Sequence, residues 1–384
     1  MVSERPANVA IVGGGPAGLS CAIELKRLGA DRVVVLEREA AAGGLPRHTN
    51  HVGFGLLDLR RVMTGPTYAA RLVSAARERG VEVLTGTVVT GRNADRSLVL
   101  TGPNGLAVLP ANQVVLATGV RERPRSARLI PGDRPAGIFT TGSLQRWQSA
   151  GLGPVGQRAV VVGAEHVSFL AAITLRHLGC HTVALVTPHD RHQSYPPLRW
   201  AARVAVFTNV SVAELIGKGR VEAVVLSDGR RIECDTVVFT ADWIPEHALA
   251  RTFGLAIDPG SRGPVVDADG RSSTPNVWAI GNLCHGAETA DRCALEGRHT
   301  ARALMSGKPW PALPPLPIEI DGSVVWAVRS SGGVVAQVAN VRRGRLVAEA
   351  NGVRVWTGRR RLLLPGRRLA LPDLPVGSRL SVTR

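Results

Sequence analysis

The fold of this chain is decided by residues 8–18, which read NVAIVGGGPAG. The apolar run over 8–12 predicts a short buried strand, the glycines predict a tight turn, and the amphipathic stretch 19–28 predicts a helix. A second strand, predicted over 32–36, ends at Glu37. This βαβ unit has an acidic residue 24 positions after its first glycine, close to the spacing at which a carboxylate meets a ribose hydroxyl.

Each glycine of this turn has its own physical role. Gly13 permits the sharp bend, Gly15 lets the backbone approach a pyrophosphate, and Gly18 allows the helix to pack closely on the strand. The first turn of the helix presents free N–H groups, which attract phosphate. The motif therefore predicts a dinucleotide site near the start of the sequence.

The same pattern restarts about 150 residues further along the chain. A strand over 159–162, a turn from Gly163 with the sequence GAEHVS, a helix over 169–178 and a strand over 182–187 form a second βαβ unit. A glycine-containing hairpin signal follows each unit, and a late apolar strand over 276–280 runs into Gly-Asn. The repeat predicts two dinucleotide-sized domains, one nested in the other.

The predicted fold class is α/β, with two nested Rossmann-like dinucleotide-binding domains of the three-layer ββα type and a small C-terminal all-β appendix. The first domain is expected to be discontinuous, comprising residues 1–122 and 272–307, with the second domain at 123–271. Residues 308–317 contain five prolines and predict a linker. Residues 318–384 show strand-like alternation and predict a small arginine-rich β domain.

The composition excludes several classes of protein. The 384 residues are 45% apolar and 20% charged, as in a globular chain and unlike a disordered one. Gly, Arg or Asp interrupts each apolar run well before about 18 residues, so we expect no membrane span and a cytoplasmic protein. The five cysteines are scattered and form no C-x-x-C, which disfavours a disulfide framework, a metal site and a thioredoxin-type pair.

Basic charge is concentrated at the C-terminal end. The formal net charge is +17, and residues 340–384 hold eleven arginines against two acidic residues, a net of +9. We predict that this segment docks an acidic partner subunit, with a coding bias toward arginine as the alternative. Trp356 is its only aromatic residue, so no stacking platform is present and we expect no nucleic-acid partner.

Four signatures in order carry a family resemblance. They are the first glycine turn with Glu37, LATG at 116–119, the second βαβ unit, and WAIGN at 278–282. Together they resemble the FAD- and NAD(P)-dependent pyridine nucleotide-disulfide oxidoreductase superfamily. Within it, GGLPRH at 43–48 and ATGVRERP at 117–124 look like the branch that contains the α subunits of sarcosine oxidase and dye-linked L-proline dehydrogenase and the corresponding subunits of opine oxidase and hydrogen cyanide synthase. Such subunits carry FAD and work beside a second flavoprotein.

The resemblance implies FAD in the first domain and NAD or NADP in the second. The residues it assigns to FAD are Gly13, Gly15, Pro16, Ala17, Gly18, Glu37, Arg38, Gly44, Leu45, Arg47, Val88, Ala117, Thr118, Gly119, Gly281 and Asn282. The family usually has Asp where Asn282 stands. Catalytic residues are unknown, and the candidates near the flavin are His48 and His51, which titrate near neutrality, and Cys293.

Two departures from the family pattern bear on chemistry. No cysteine pair stands at the positions that disulfide reductases use, so we expect no redox-active disulfide. The second glycine turn carries Glu165, whose charge opposes a pyrophosphate, so nucleotide binding at Gly163, Glu165 and His166 stays open. Arg191 and His192 are candidates for contacting the 2′-phosphate of NADP, and exposed loop charges are the alternative.

Three functions remain open from the sequence. The leading hypothesis is an FAD-dependent oxidoreductase within a dehydrogenase or oxidase complex, whose flavin exchanges hydride or electrons with NAD(P)H, a small amine or hydroxy acid, or a partner flavoprotein. The second is a stand-alone NAD(P)H-dependent reductase of thioredoxin-reductase shape. The third is a non-catalytic FAD-binding scaffold subunit.

Overall fold

The computed structural model describes residues 6–286, 288–312 and 314–383. Residues 1–5 and Ala287 of the predicted first domain, Leu313 of the predicted linker and Arg384 of the arginine-rich segment lie outside the described residues.

Seven α-helices, numbered α1 to α7, occur in the described part of the chain. They span Pro16–Arg27, Gly65–Glu78, Thr141–Ser149, His166–His177, Pro196–Ala202, Ala248–Thr252 and Ala290–Met305. Not one of these described helices combines the length and the apolar character that a bilayer crossing requires. Shorter elements include the 3-10 turns Leu45–His48, Arg125–Arg128 and Gly281–Leu283, and the strand pair Val52–Phe54 and Met63–Thr64.

A five-stranded parallel sheet forms the centre of the first unit, which contains the first glycine turn. In spatial order its strands are Val277–Ala279, Ala111–Leu116, Ala7–Val12, Val33–Leu36 and Glu82–Leu84. Residues 9–12 and 33–36 of the inner strands are continuous apolar runs because both faces of the sheet are covered. Helices α1, α2 and α7 cover one face. An antiparallel sheet covers the other, with strands Val88–Arg92, Leu98–Gly102 and Gly105–Leu109.

The apolar stretch over 81–89 predicts a single strand, and that prediction is wrong. The structure has two strands there, Glu82–Leu84 in the parallel sheet and Val88–Arg92 in the antiparallel one. Gly86 stands between them with φ of 62°, a left-handed conformation that turns the chain from one sheet to the other.

Helices α1 and α7 pack with almost no space between their backbones. A Cβ atom added at Gly297 of α7 would lie 2.2 Å from the Ala17 carbonyl oxygen of α1. A Cβ atom at Gly18 would lie 2.1 Å from the carbonyl oxygen of Gly13. These contacts hold the first glycine turn rigidly between its strand and α7.

The second unit repeats the same layers. Its five-stranded parallel sheet has the spatial order Ile138–Thr140, Thr236–Phe239, Arg158–Val162, His181–Val186 and Val206–Phe207. Helices α3, α4 and α5 pack on one face. The antiparallel strands Val212–Ile216, Ala223–Leu226 and Arg231–Glu233 pack on the other. A two-stranded ribbon, Val120–Glu122 with Trp243–Pro245, runs between the units. The predicted fold class is confirmed.

The C-terminal β domain consists of two small sheets around a common core. The first contains Glu319–Ile320, Ser378–Thr383, Arg342–Ala350, Val353–Thr357 and Arg361–Leu363. The second contains Val324–Ser330, Gly333–Val338 and Leu369–Leu371.

This β domain packs against the first unit and is not attached to it through the linker alone. The Trp326 ring stacks on His285 with 6.4 Å between ring centroids. A Cβ atom at Gly260 would lie 2.7 Å from the carbonyl oxygen of Val325. The domain therefore shares an interior with the α7 region of the first unit.

A buried ion pair lies at the centre of this contact. Glu296 on α7 is 3.1 Å from Nε2 of His285, and it accepts hydrogen bonds from the Gly281 N–H and from the Ser330 hydroxyl at 2.9 Å. Burial lowers the pKa of His285, but Glu296 more than offsets that effect, so its pKa is raised overall. The pKa of Glu296 is lowered, since burial is outweighed by His285 and the Ser330 hydrogen bond.

We expect Glu296→Gln to lower the free energy of unfolding by about 3–5 kcal/mol at neutral pH, because His285 loses its counter-charge inside the protein. The contribution of the pair should fade as pH rises through the raised pKa of His285, and again as pH falls through the lowered pKa of Glu296. Chemical denaturation at several pH values measures both effects. The exposed Glu233→Gln is the control, and equal losses in the two variants would contradict the prediction.

Candidate functional site

The first glycine turn leaves the N-terminus of α1 open. Helix α1 starts at Pro16 after Gly15, with no side chain hydrogen-bonded to its first turn and no acidic residue in that turn. Gly13 has φ of 110°, and a Cβ atom there would lie 2.3 Å from the Ala117 carbonyl oxygen. The turn is therefore pressed against the segment at Ala117, while the helix N–H groups face outward without an acceptor side chain.

No side chain of the described residues fills the position beside Gly15. A Cβ atom added at Gly15 would have the Cα of Gly44 as its nearest neighbour, at 4.0 Å. The Gly43 N–H donates to the carbonyl oxygen of Gly14 at 2.7 Å, which holds the second glycine loop beside the first. Free N–H groups beside an unfilled, glycine-walled space fit the pyrophosphate of a dinucleotide.

Glu37 lies at the edge of this cradle, as the spacing predicted. Its carboxylate accepts the Gly14 N–H at 2.9 Å through Oε2 and the Glu39 N–H at 2.8 Å through Oε1. These bonds fix the carboxylate, and each oxygen retains a lone pair for a ribose hydroxyl. The residues present thus fit the adenosine ribose and pyrophosphate of FAD.

Three of the residues that the family resemblance assigns to FAD, Arg38, Val88 and Thr118, have other contacts in the structure. Arg38 forms an ion pair with Glu246 of the second unit at 3.3 Å, and Arg121 meets the same carboxylate at 2.7 Å. Val88 is paired with Thr101 in the antiparallel sheet. The Thr118 hydroxyl donates to the carbonyl oxygen of Glu246 at 2.9 Å, so the predicted FAD segment 117–119 also contacts the second unit.

The loop after Gly44 is linked to the second unit through the carboxylate of Glu39. The 3-10 turn Leu45–His48 carries Arg47, whose guanidinium is 2.5 Å from Glu39. Arg146 of α3 bonds to the same carboxylate. Nδ1 of His48 is 2.7 Å from the hydroxyl of Ser149, also on α3. These contacts place the loop against the second unit.

The two histidine candidates occupy different surroundings. Burial lowers the pKa of His48, and neighbouring arginines lower it further. Burial also lowers the pKa of His51, whose ring stacks on Phe54 with 5.3 Å between ring centroids. Both rings therefore favour the neutral form, which can accept a proton. Across the described residues, no three His, Cys, Asp or Glu side chains are grouped as metal ligands.

The late Gly-Asn signature meets α1 and α7. A Cβ atom at Gly281 would lie 2.9 Å from the Cβ of Ala17 and 3.7 Å from the sulfur of Cys293. The Asn282 side chain is used within its own loop, where it accepts the Glu288 N–H at 2.6 Å. The structure brings Gly281, Ala17 and Cys293 together, beside the first glycine turn.

Thiol chemistry has no support at this site. All five cysteines are buried and unpaired. Burial raises the pKa of Cys293 well above its ordinary value, and the acidic neighbours Glu296 and Glu288 raise it further. A neutral, buried thiol is a poor nucleophile, which argues against a nucleophilic role for Cys293.

The second glycine turn differs from the first in one decisive way. The Ser168 hydroxyl of α4 accepts the Glu165 N–H at 3.1 Å and donates to Glu165 Oε2 at 3.0 Å. A Cβ atom at Gly163 would lie 2.6 Å from the same carboxylate oxygen. The carboxylate of Glu165 therefore fills the space between the turn and the start of α4, where the first unit has an opening.

The other second-unit candidates divide into two groups. Nδ1 of His166 is 3.3 Å from the Ser194 hydroxyl, beside the glycine turn. Arg191 points outward and pairs with Asp190 at 3.4 Å. The His192 ring packs edge-on against Phe169, with 5.8 Å between centroids. Only His166 of these three lies at the turn together with Glu165.

No sequence pattern points to the residues that cover this second turn. Gln193, Ser194 and Tyr195 fold back over it, and the Gln193 N–H donates to the carbonyl oxygen of Ala164 at 2.9 Å. Residues 364–368 of the β domain contact these three residues. The Pro-Gly pair at 365–366 signals a turn in the sequence, but nothing local indicates where that turn docks.

Comparison with known proteins agrees with this architecture. The ferredoxin–NAD(+) reductase component of the biphenyl dioxygenase system of Paraburkholderia xenovorans is 31% identical over 248 residues, 59% of each chain, so the match spans about six tenths of that relative. An opine oxidase subunit of Agrobacterium tumefaciens is 26% identical over 404 aligned positions, covering 93% of this chain and 74% of the relative. Thioredoxin reductase of T. acidophilum superposes with a TM-score of 0.66 at 22% identity, covering 79% of this chain and 99% of that one.

A family model for pyridine nucleotide-disulphide oxidoreductases matches residues 7–297. That match contains both glycine turns, Glu37 and the Gly281 signature, which the structure arranges around two parallel sheets. The specific branch suggested by residues 43–48 and 117–124 is not resolved by these matches. The chain belongs to the pyridine nucleotide-disulphide oxidoreductase family, whose members are FAD-dependent NAD(P)H oxidoreductases.

Proposed function

We propose that this protein passes electrons from a nicotinamide nucleotide through FAD to an acidic partner protein. The observation that carries the proposal is the contrast between an open, uncapped α1 N-terminus beside Glu37 and the absence of any exposed thiol among the five cysteines. Bound FAD supplies the chemistry, since it exchanges a hydride at one partner and electrons at another. The residues of the chain hold and orient it.

The proposal includes the FAD contacts and the domain division predicted from the sequence. The α1 N-terminus and Gly15 would hold the pyrophosphate, and Glu37 the ribose. The discontinuous domain 1–122 and 272–307 would bind FAD, and 123–271 would receive the nicotinamide. His48 and His51 would be neutral proton acceptors near the flavin. The cytoplasmic location stays a prediction.

A partner protein is supported by an exposed basic surface. Arg343, Arg345, Arg359, Arg360 and Arg361 are exposed on the C-terminal β domain, and the described residues supply no carboxylate to any of them. A surface of one charge steers an oppositely charged partner into contact. The P. xenovorans relative is a ferredoxin–NAD(+) reductase component, which favours an electron-transfer protein as the acceptor.

A second candidate function is a flavoprotein subunit beside a substrate-oxidising partner, with an amine or hydroxy acid as the electron source. The likeness to the opine oxidase subunit favours it, because that match extends over 93% of this chain and so includes much of the β domain. In that case the same basic surface would dock the partner subunit.

Anaerobic titration of the purified flavoprotein separates these functions. Bleaching of the flavin by NADH or NADPH alone supports the leading proposal. Bleaching by an amino or hydroxy acid only when a partner subunit is present supports the second. A flavin that no donor reduces, with or without a partner, would indicate that the protein is a non-catalytic FAD-binding scaffold.

We expect Gly15→Val to give a folded protein without FAD. The φ of Gly15 is −83°, which valine adopts, and the nearest atom to the new Cβ is 4.0 Å away, so the fold has room for it. The added methyl groups would occupy the space proposed for the pyrophosphate. Flavin absorbance and circular dichroism report the two effects. Gly91→Val, whose Cβ meets no atom within 4 Å, should keep its flavin, and a yellow Gly15→Val protein would refute the proposed cradle.

Replacing Cys293 by alanine should leave flavin-dependent dye reduction within about twofold of wild type, because its thiol is neutral and buried. Wild-type protein should not consume NADPH with disulfide substrates. Cys284→Ala, at another buried thiol, is the matched variant. Disulfide turnover that Cys293→Ala abolishes and Cys284→Ala preserves would show a thiol role.

Reversing charge at Arg359 and Arg361 should slow association with an acidic acceptor by about tenfold at low salt, because long-range attraction sets the encounter rate. The double variant Arg71→Glu and Arg77→Glu on α2 makes the same change in net charge elsewhere. Stopped-flow electron transfer to an acidic iron–sulfur protein, measured against ionic strength, compares the two. Equal slowing in both would indicate a net-charge effect and no docking surface.

A further inference from the structure

Residues 364–368, here called the C-terminal turn, form a β-turn closed by the bond from the Arg367 N–H to the carbonyl oxygen of Leu364 at 3.0 Å. The turn is attached to the loop that covers the second glycine turn. The Gly366 N–H donates to the side-chain oxygen of Gln193. The Arg367 guanidinium donates to the carbonyl oxygens of Gln193 at 3.2 Å and Ser194 at 3.1 Å.

Two further contacts orient the C-terminal turn. The Arg367 guanidinium lies over the Tyr195 ring, 4.3 Å from its centroid, a cation–π contact. Arg368 forms an ion pair with Glu288 at 2.7 Å, just before α7 of the first unit. The turn therefore bridges both units, and its position is set by charged and aromatic groups as well as by backbone hydrogen bonds.

The C-terminal turn lies directly against Glu165. A Cβ atom added at Gly366 would be 3.0 Å from Cγ of Glu165 and 3.1 Å from Cβ of Gln193. Glu165 therefore lies between the C-terminal turn and the second glycine turn, since its Oε2 would be 2.6 Å from a Cβ atom at Gly163. In the first unit, by contrast, a Cβ atom added at Gly15 would have no atom nearer than the Cα of Gly44, at 4.0 Å.

A nicotinamide nucleotide does not fit this closed arrangement. Its pyrophosphate belongs at the start of α4, where the Glu165 carboxylate already lies and would repel it. If the second unit receives the nicotinamide nucleotide, as proposed above, the site has to open before the nucleotide enters. The contacts that close it are a few hydrogen bonds, one cation–π contact and one ion pair, which can break without unfolding either sheet.

We infer that the C-terminal turn is an intramolecular gate over the nicotinamide site, closed by Arg367 and Gly366 against Gln193, Ser194 and Tyr195. The inference rests on the proposed function, since it requires that this site receive a nicotinamide nucleotide. The apparent affinity for that nucleotide is the intrinsic affinity multiplied by the fraction of molecules with the gate open. If about one molecule in ten is open, binding is about tenfold weaker than in an ungated site.

A disulfide staple tests the gate in the full-length, FAD-loaded protein. The variant Gln193→Cys with Gly366→Cys would place its Cβ atoms about 3.1 Å apart, a few tenths of an ångström short of the usual disulfide range. The buried native cysteines should not compete. Binding of NADP⁺ and NAD⁺ to the oxidised flavoprotein, measured by calorimetry, should be at least tenfold weaker in the stapled form than after reduction and removal of the reductant.

Two single variants keep the test independent of the staple. Arg367→Ala should bind nucleotide several-fold more tightly than wild type, and Arg379→Ala, an exposed arginine of the same domain, should not change it. Glu165→Gly should tighten binding several-fold as well, since it removes the opposing charge.

The outcomes separate the gate from the proposed function. Equal nucleotide affinity in the stapled and reduced forms, with Arg367→Ala like wild type, would overturn the gate and leave nicotinamide binding intact. No nucleotide binding in the reduced staple, in Arg367→Ala or in Glu165→Gly, with FAD retained in each, would overturn both. Tighter binding in Arg367→Ala together with weak binding in the stapled form supports the gate.

Discussion

The N–H groups at the first turn of a helix need acceptors, and the two halves of this chain meet that need differently. At α1 the turn is made of glycines, no side chain reaches the helix start, and the space in front of Gly15 is open. At α4 the chain supplies its own anion, the Glu165 carboxylate. The start of α1 is therefore open to an external acceptor such as a phosphate, whereas the start of α4 carries a carboxylate of the chain itself, held by the Ser168 hydroxyl.

The C-terminal β domain contacts a buried carboxylate of the first unit and the Glu165 side of the second unit. Glu296 is stable inside the protein only because His285, the Gly281 N–H and the Ser330 hydroxyl surround it, and Ser330 comes from the β domain. The same domain sends residues 364–368 to the Glu165 side of the second unit. One small domain thus contacts α7 beside the proposed FAD site and also the loop that covers the proposed nicotinamide site.

The sequence predicted what is decided locally. The two βαβ units, the hairpins, the place of Glu37 beside the first turn and the five unpaired cysteines depend on short-range patterns, and the structure contains them. The split at Gly86 was missed because the apolar pattern continues across a single left-handed residue. The position of the β domain against the two units could not be predicted from the sequence. Its contacts, such as that of Gly366 with Gln193, join residues 173 positions apart. No periodicity or motif records a pairing of that kind.

The burial of every native thiol has a practical consequence for spectroscopy on this protein. The pKa of Cys21 is raised to about 12 by burial and by Glu24, and burial raises those of Cys180 and Cys234 to about 11. Cys284 and Cys293 are shifted upward in the same way. Maleimides react with accessible thiolates, so the folded wild-type chain should be nearly inert toward them. Fluorophores or spin labels can therefore be attached at two introduced surface cysteines, one on the β domain and one on either unit, and the distance between them can be followed without first removing any natural cysteine.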